Sequence, residues 1–103
     1  MSESGRPVPS LAELKEQRAE ILRIAAQYGA TNVRVFGSVA RGDASLESDV
    51  DFLVTFTRRV SLFDRAGLWL DLQTFLNCSV DVVDDQAVKS ALRAAILSDA
   101  VAI

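Results

Sequence analysis

Val33-Arg34-Val35-Phe36-Gly37-Ser38-Val39-Ala40-Arg41-Gly42, followed after a short loop by Ser48-Asp49-Val50-Asp51-Phe52-Leu53-Val54, decides the fold. One apolar run ends at Gly37-Ser38, and after ten intervening residues two carboxylates alternate into a second. Gly37 has no Cβ, so a bulky anion can approach the backbone there. Ser38 is placed to cap a short following helix, whose free N–H groups and dipole favour a phosphate. Asp49 and Asp51, at i and i+2 of a strand, leave the same face with Cα atoms about 6.5–7 Å apart. Carboxylates that close repel unless a cation lies between them, and hard oxygen ligands suit Mg²⁺. The pattern predicts a metal–triphosphate site.

Working outward, size and composition bound what such a site can serve. The 103 residues suffice for one core, so residues 10–103 are expected to form a single domain behind a disordered lead-in over residues 1–9. Half the residues are apolar and 24% are charged, an ordinary globular balance. No apolar run approaches the ~20 residues that span a bilayer, and the N-terminus shows no signal-peptide pattern. The single Cys78 can form no internal disulfide, so the expected compartment is the cytoplasm. Eleven Lys and Arg stand against fourteen acids, with Arg58-Arg59 the only adjacent basic pair. That balance argues against a long polynucleotide as acceptor. With no histidine in the chain, any catalysis must run on carboxylates and metal.

Ser10-Leu11-Ala12-Glu13 reads as a capping box opening a helix that runs to about Tyr28, with Leu14, Ile21, Leu22, Ala25 and Tyr28 on one face and Gly29 as its stop. Val33 to Phe36 is the first strand, Ser38 to about Arg41 a helical turn, and Asp49 or Val50 to Phe56 a second, central strand. Leu62 to Leu76 is the next helix, ending near Asn77. Its apolar residues, Trp69 among them, cover more of its circumference than one core face requires. Val80-Asp81-Val82-Val83 is the third strand, and Asp84-Asp85 is expected to start a last helix from about Gln86 to Ser98, before the apolar end Val101-Ala102-Ile103. A fifteen-residue helix between strands two and three makes them parallel. Asp81 then falls at the same sheet end as Asp49 and Asp51. Gly37-Ser38 reaches them only if the first strand runs antiparallel to both. The expected class is α/β (α+β): a three-stranded mixed sheet flanked by about four helices.

The combination Gly37-Ser38, ten residues, Asp49-Val50-Asp51 resembles the signature of the polymerase β-type nucleotidyltransferase superfamily. With Ala40-Arg41-Gly42 and Ser48 added, it is similar to the minimal nucleotidyltransferases, the MNT-domain antitoxins of HEPN/MNT toxin–antitoxin pairs. The resemblance runs from about Val33 to Val83 and more loosely to the C-terminus. It implies the same mixed-sheet fold and Asp49 and Asp51 as ligands of two Mg²⁺ ions about 3.5–4 Å apart. Asp81 stands where a third ligand is wanted, to complete the catalytic metal's shell and accept the acceptor's proton. The alternative is that it pairs with an arginine at the sheet end. Gly37 and Ser38 would hold the triphosphate. Arg41 would neutralise γ-phosphate charge with its planar guanidinium, or else pair at the surface with Asp43 or Glu47.

The implied activity is transfer of NMP, with AMP from ATP the leading case, to a hydroxyl on a tyrosine of a cognate HEPN-type toxin, which neutralises it. Two other readings stand beside it: an antitoxin that acts only by binding, and a small-molecule nucleotidyltransferase of the aminoglycoside-modifying kind. The short chain weighs against the last. The excess apolar surface of the Trp69 helix and of Val101 to Ile103 points to a protein partner or self-association, and the resemblance implies that the partner is the toxin.

Overall fold

The computed structural model describes residues 8–103. Alternation along its central strand, β2 (Val50–Phe56), sets the two faces of the sheet. Val50, Phe52 and Val54 are fully buried in the main core, while Asp51, Leu53 and Thr55 leave the opposite face. β1 (Ala30–Phe36) pairs antiparallel with β2, and β3 (Val80–Asp84) pairs parallel with it. This is the mixed arrangement the site requires.

The sheet has four strands rather than the expected three. Val101–Ala102 forms β4, antiparallel to β1, giving the order β3-β2-β1-β4. Two residues are too short to show an alternation, so the sequence displays only an apolar end. What fixes the strand is remote in sequence: the Ile103 amide donates to the Val33 carbonyl, and Arg18 Nε donates to the Ile103 carbonyl at 2.5 Å.

Among the described residues the helices number five rather than about four, because the first is interrupted. The Ser10–Glu13 capping box opens α1 (Leu11–Glu16), Gln17 breaks the run, and α2 (Arg18–Gln27) follows. The Gln17 amide is shared between the Glu13 and Leu14 carbonyls, and its ψ of 13° lies outside the helical well. Leu14 and Ile21 on either side remain fully buried. Of the expected lead-in, residues 1–7 lie outside the described residues. Val8, assigned to it, packs against the core.

α4 (Leu62–Leu76) has the expected bounds. Ser61 and Asp64 cap it reciprocally, and Asn77 ends it in the left-handed conformation at φ 55°. Its core stripe is Leu68, Leu72 and Leu76. Gly67 lets α2 approach: a Cβ there would sit 2.5 Å from the Tyr28 ring, whose hydroxyl donates to Asp71 at 2.5 Å. The last helix starts later than expected, as α5 (Ser90–Asp99). Asp84 and Asp85 do not cap it. Asp84 Oδ1 accepts from the Gln86 amide in a turn, and Asp85 is buried beneath Arg34.

Candidate active site

The site forms where β1 turns into α3 (Gly37–Arg41), beside the starts of β2 and β3. Strand register does most of the assembly. Asp51 pairs with Phe36 of β1 on one side and with Asp81 of β3 on the other. Side chains opposite each other in a ladder share a face, so the Asp51 and Asp81 carboxylates are neighbours. Asp49 is exposed and immediately precedes β2, two residues from Asp51. The three acids predicted from sequence therefore lie at one end of the sheet.

Gly37 takes φ 76°, and a Cβ there would overlap the Asp51 carboxylate. Glycine is thus required twice, by the backbone and by the neighbouring acid. The close approach expected for a bulky anion is occupied here by Asp51 itself. Ser38 stands inside α3, not at its cap. The N-cap is Phe36, with no side-chain cap bond, so the expected capping role is corrected. The Ser38 carbonyl instead accepts from the Gly42 and Asp43 amides, and Gly42 closes the turn at φ 85°.

Half-burial, then the charges of Asp81 and Asp49, push the Asp51 carboxyl up to about 6, against a smaller opposing pull from Arg41. A carboxylate under that stress is relieved by a cation. Among the described residues no three His, Cys, Asp or Glu side chains are grouped so as to hold a metal ion by themselves. An ion here would complete its shell from phosphate oxygens and water, which is how Mg²⁺ is usually bound.

Arg41 is half-exposed and engaged. It donates to Asp99 of α5 at 2.7 Å and to Asp43 at 3.3 Å. The surface pair with Asp43 weighed from sequence is present, and the Asp99 pair was missed. Nothing in the sequence marks Asp99, because the contact depends on how α5 packs on α3. Asp85 was missed as well. It accepts from Arg34 at 2.8 Å and from Thr55 at 2.6 Å, on the sheet face that carries Asp51 but toward the other end of β2.

A family model described as polymerase beta nucleotidyltransferase matches residues 19–103. The chain belongs to this family. A Methanocaldococcus jannaschii protein provisionally named a protein adenylyltransferase is 33% identical over 88 residues, covering 85% of this chain and 95% of that protein. The protein adenylyltransferase MntA of Thermococcus cleftensis is 36% identical over 75 residues, covering 73% and 76%. Among solved structures, a minimal nucleotidyltransferase, itself provisionally so named, superposes with a TM-score of 0.81 at 40% identity, over 92% of this chain and 97% of that one. A toxin–antitoxin complex with AMP-PNP shares the fold at a TM-score of 0.71 and 22% identity, over 85% and 70%. The nucleotidyltransferase is thus of the minimal type. No described helix is long and apolar enough to cross a membrane.

Proposed function

We propose that this nucleotidyltransferase moves AMP from ATP to a hydroxyl of a partner protein, a tyrosine of a cognate HEPN-type toxin, and so acts as its antitoxin. The observation that carries the reading is Asp51, wedged between Gly37, Asp81 and Asp49 with its carboxyl pushed up to about 6. Two relatives named as protein adenylyltransferases support the donor and the protein acceptor. The shared fold with a toxin–antitoxin complex is consistent with the partner.

Asp49 and Asp51 would hold Mg²⁺, with Asp81 beside them. The bound ions would neutralise phosphate charge and favour attack at the α-phosphorus. Gly37 and Ser38 would border the triphosphate. Arg41 would reach the γ-phosphate by leaving or sharing its Asp99 and Asp43 partners. Asp81, exposed and next to Asp51, would take the acceptor's proton directly or through water.

The test is transfer from ATP labelled at the α- or the γ-phosphate, in the presence of the protein encoded beside this chain. α-Label should appear on the neighbour and γ-label only in released pyrophosphate. γ-Label on the neighbour would mean phosphoryl transfer and would overturn the reading.

A second reading is neutralisation by binding alone. It draws on the row of exposed apolar side chains along α4, where Leu62 is 80% and Phe63 88% exposed. A protein surface of that kind is normally covered.

A further inference from the structure

Arg41 stands between the acid cluster and the last helix. Its charge pulls on the Asp51 carboxyl, so it lies close to the site, yet its nitrogens are taken up elsewhere. Nη1 donates to Asp99 at 2.7 Å, and Nε donates to Asp43 at 3.3 Å. The shorter bond is the remote one, crossing from α3 to α5 between residues 58 apart in the chain.

The two acids are not held alike. Asp43 sits in the loop just after α3, on the same stretch of chain as Arg41. Asp99 is the last residue of α5, which packs on α3 and β1. Two residues further on, Val101 pairs with Val35 of β1. Asp99 is therefore anchored on both sides and cannot follow Arg41 toward a ligand. Its side chain is 25% exposed against 62% for Asp43, so water compensates the loss of Arg41 less well at Asp99. An anion that takes Arg41 must break the Asp99 bond, and that cost is subtracted from its own binding.

We propose that Asp99 competes with the triphosphate for Arg41, holding nucleotide affinity down and recapturing the guanidinium as pyrophosphate leaves. The proposal rests on the reading above in which Arg41 meets the γ-phosphate, and adds what that contact displaces. In the transfer the acceptor oxygen bonds to the α-phosphorus and gives up its proton to Asp81 or water. The bond from that phosphorus to the bridging oxygen breaks, and its electron pair stays with pyrophosphate. The γ-phosphate thus remains on Arg41 until the product departs. Whatever weakens the Arg41 contact with ATP weakens it with pyrophosphate too, so the same acid that lowers affinity for the substrate speeds release of the product.

Calorimetric titration with AMP-PNP, pyrophosphate and AMP, each with Mg²⁺, tests the competition. Asp99→Asn should tighten AMP-PNP and pyrophosphate about two- to fivefold, the worth of a partly exposed ion pair, and leave AMP, which has no γ-phosphate, unchanged. Glu47→Gln removes an equal charge from the loop before β2 without touching Arg41, and should tighten them clearly less. With Arg41→Ala already in place, Asp99→Asn should change nothing, because its effect runs through the guanidinium. Weaker AMP-PNP binding by Asp99→Asn would make Asp99 a support for Arg41 and overturn the proposal. Equal tightening by Glu47→Gln, or tightening that persists without Arg41, overturns it too, since either reduces Asp99 to one more charge near the site. Tightening of AMP-PNP alone removes the recapture at product release. If Arg41→Ala by itself leaves AMP-PNP affinity unchanged, the competition falls with the γ-phosphate contact, while AMP transfer by the wild-type chain still upholds the adenylyl-transfer reading. Tightening that requires Arg41, in a protein that transfers no AMP, would sink the transfer reading and leave the competition standing.

Discussion

Asp51 is the residue on which the nucleotide-free protein is least comfortable. Its carboxyl is raised to about 6 in the fold from an ordinary value of 3.8, so the native state prefers it protonated. By linkage, that contribution is fully present below 3.8 and is lost as pH rises through about 6. Asp51→Asn should therefore raise the Tm of the nucleotide-free protein above pH 6 and flatten its fall across that window. A Tm lower than wild type at such pH would show that the acids do not repel as described. Gly37→Ala tests the neighbouring contact. The new Cβ meets the Asp51 carboxylate at a φ of 76°, so denaturation should show a loss of about 1–3 kcal/mol. Asp51→Ala in the same chain should recover part of that loss, a coupling that a double-mutant cycle would measure. Additive effects would place the strain in the backbone alone.

At the scale of elements, the second face of the sheet carries a largely buried ion pair beside the buried Leu53. Arg34 of β1 and Asp85, just after β3, bond across β2, and only 14% and 11% of their side-chain surfaces are exposed. Arg93 of α5 donates to the Asp85 carbonyl, which ties the last helix to the same point. Burial pushes the Asp85 carboxyl up, but the Thr55 hydroxyl and the Arg34 guanidinium together hold it below the ordinary value. A depressed carboxyl stabilises the fold above its unfolded value and loses that contribution as pH falls through the folded one. The acid limb of the stability curve should thus reflect Asp85, and the limb toward pH 6 should reflect Asp51. Asp85→Ala leaves Arg34 buried without its carboxylate and should cost about 3–5 kcal/mol in denaturant unfolding. A loss well under that would mean water already reaches the pair.

Element by element, the sequence was most legible where a local signal has a local cause. The Ser10–Glu13 capping box, the stops at Gly29 and Asn77, and the full span of α4 follow from residues next to one another. The opposed directions of β1 and β2 followed from requiring Gly37 to meet Asp51. What escaped depends on contacts distant in sequence. β4 exists because Ile103 reaches Val33 and Arg18, and α5 starts late because Asp85 is drawn under Arg34. At the site, the positions of the three acids were legible because strand period and register fix them. The Arg41–Asp99 pair was not, because it needs two packed elements.

For the whole molecule, acid repulsion and the glycine cradle meet at one end of the sheet, and the exposed apolar residues that begin α4 lie toward the other. Mg²⁺ with ATP should raise the Tm, since a ligand that binds only the folded state stabilises it by mass action. Asp49→Asn with Asp51→Asn should abolish the rise. The most direct test of transfer is the intact mass of the neighbouring gene's protein after co-expression, together with the growth of the cells that make it. Beside the wild-type chain, that protein should be heavier by one or more AMP units, on tyrosine, and the cells should grow. Beside the Asp49→Asn, Asp51→Asn chain, its mass should be unchanged and the cells should be poisoned. Equal protection by both chains, with no change in the partner's mass, would contradict the account and leave an antitoxin that works by binding alone.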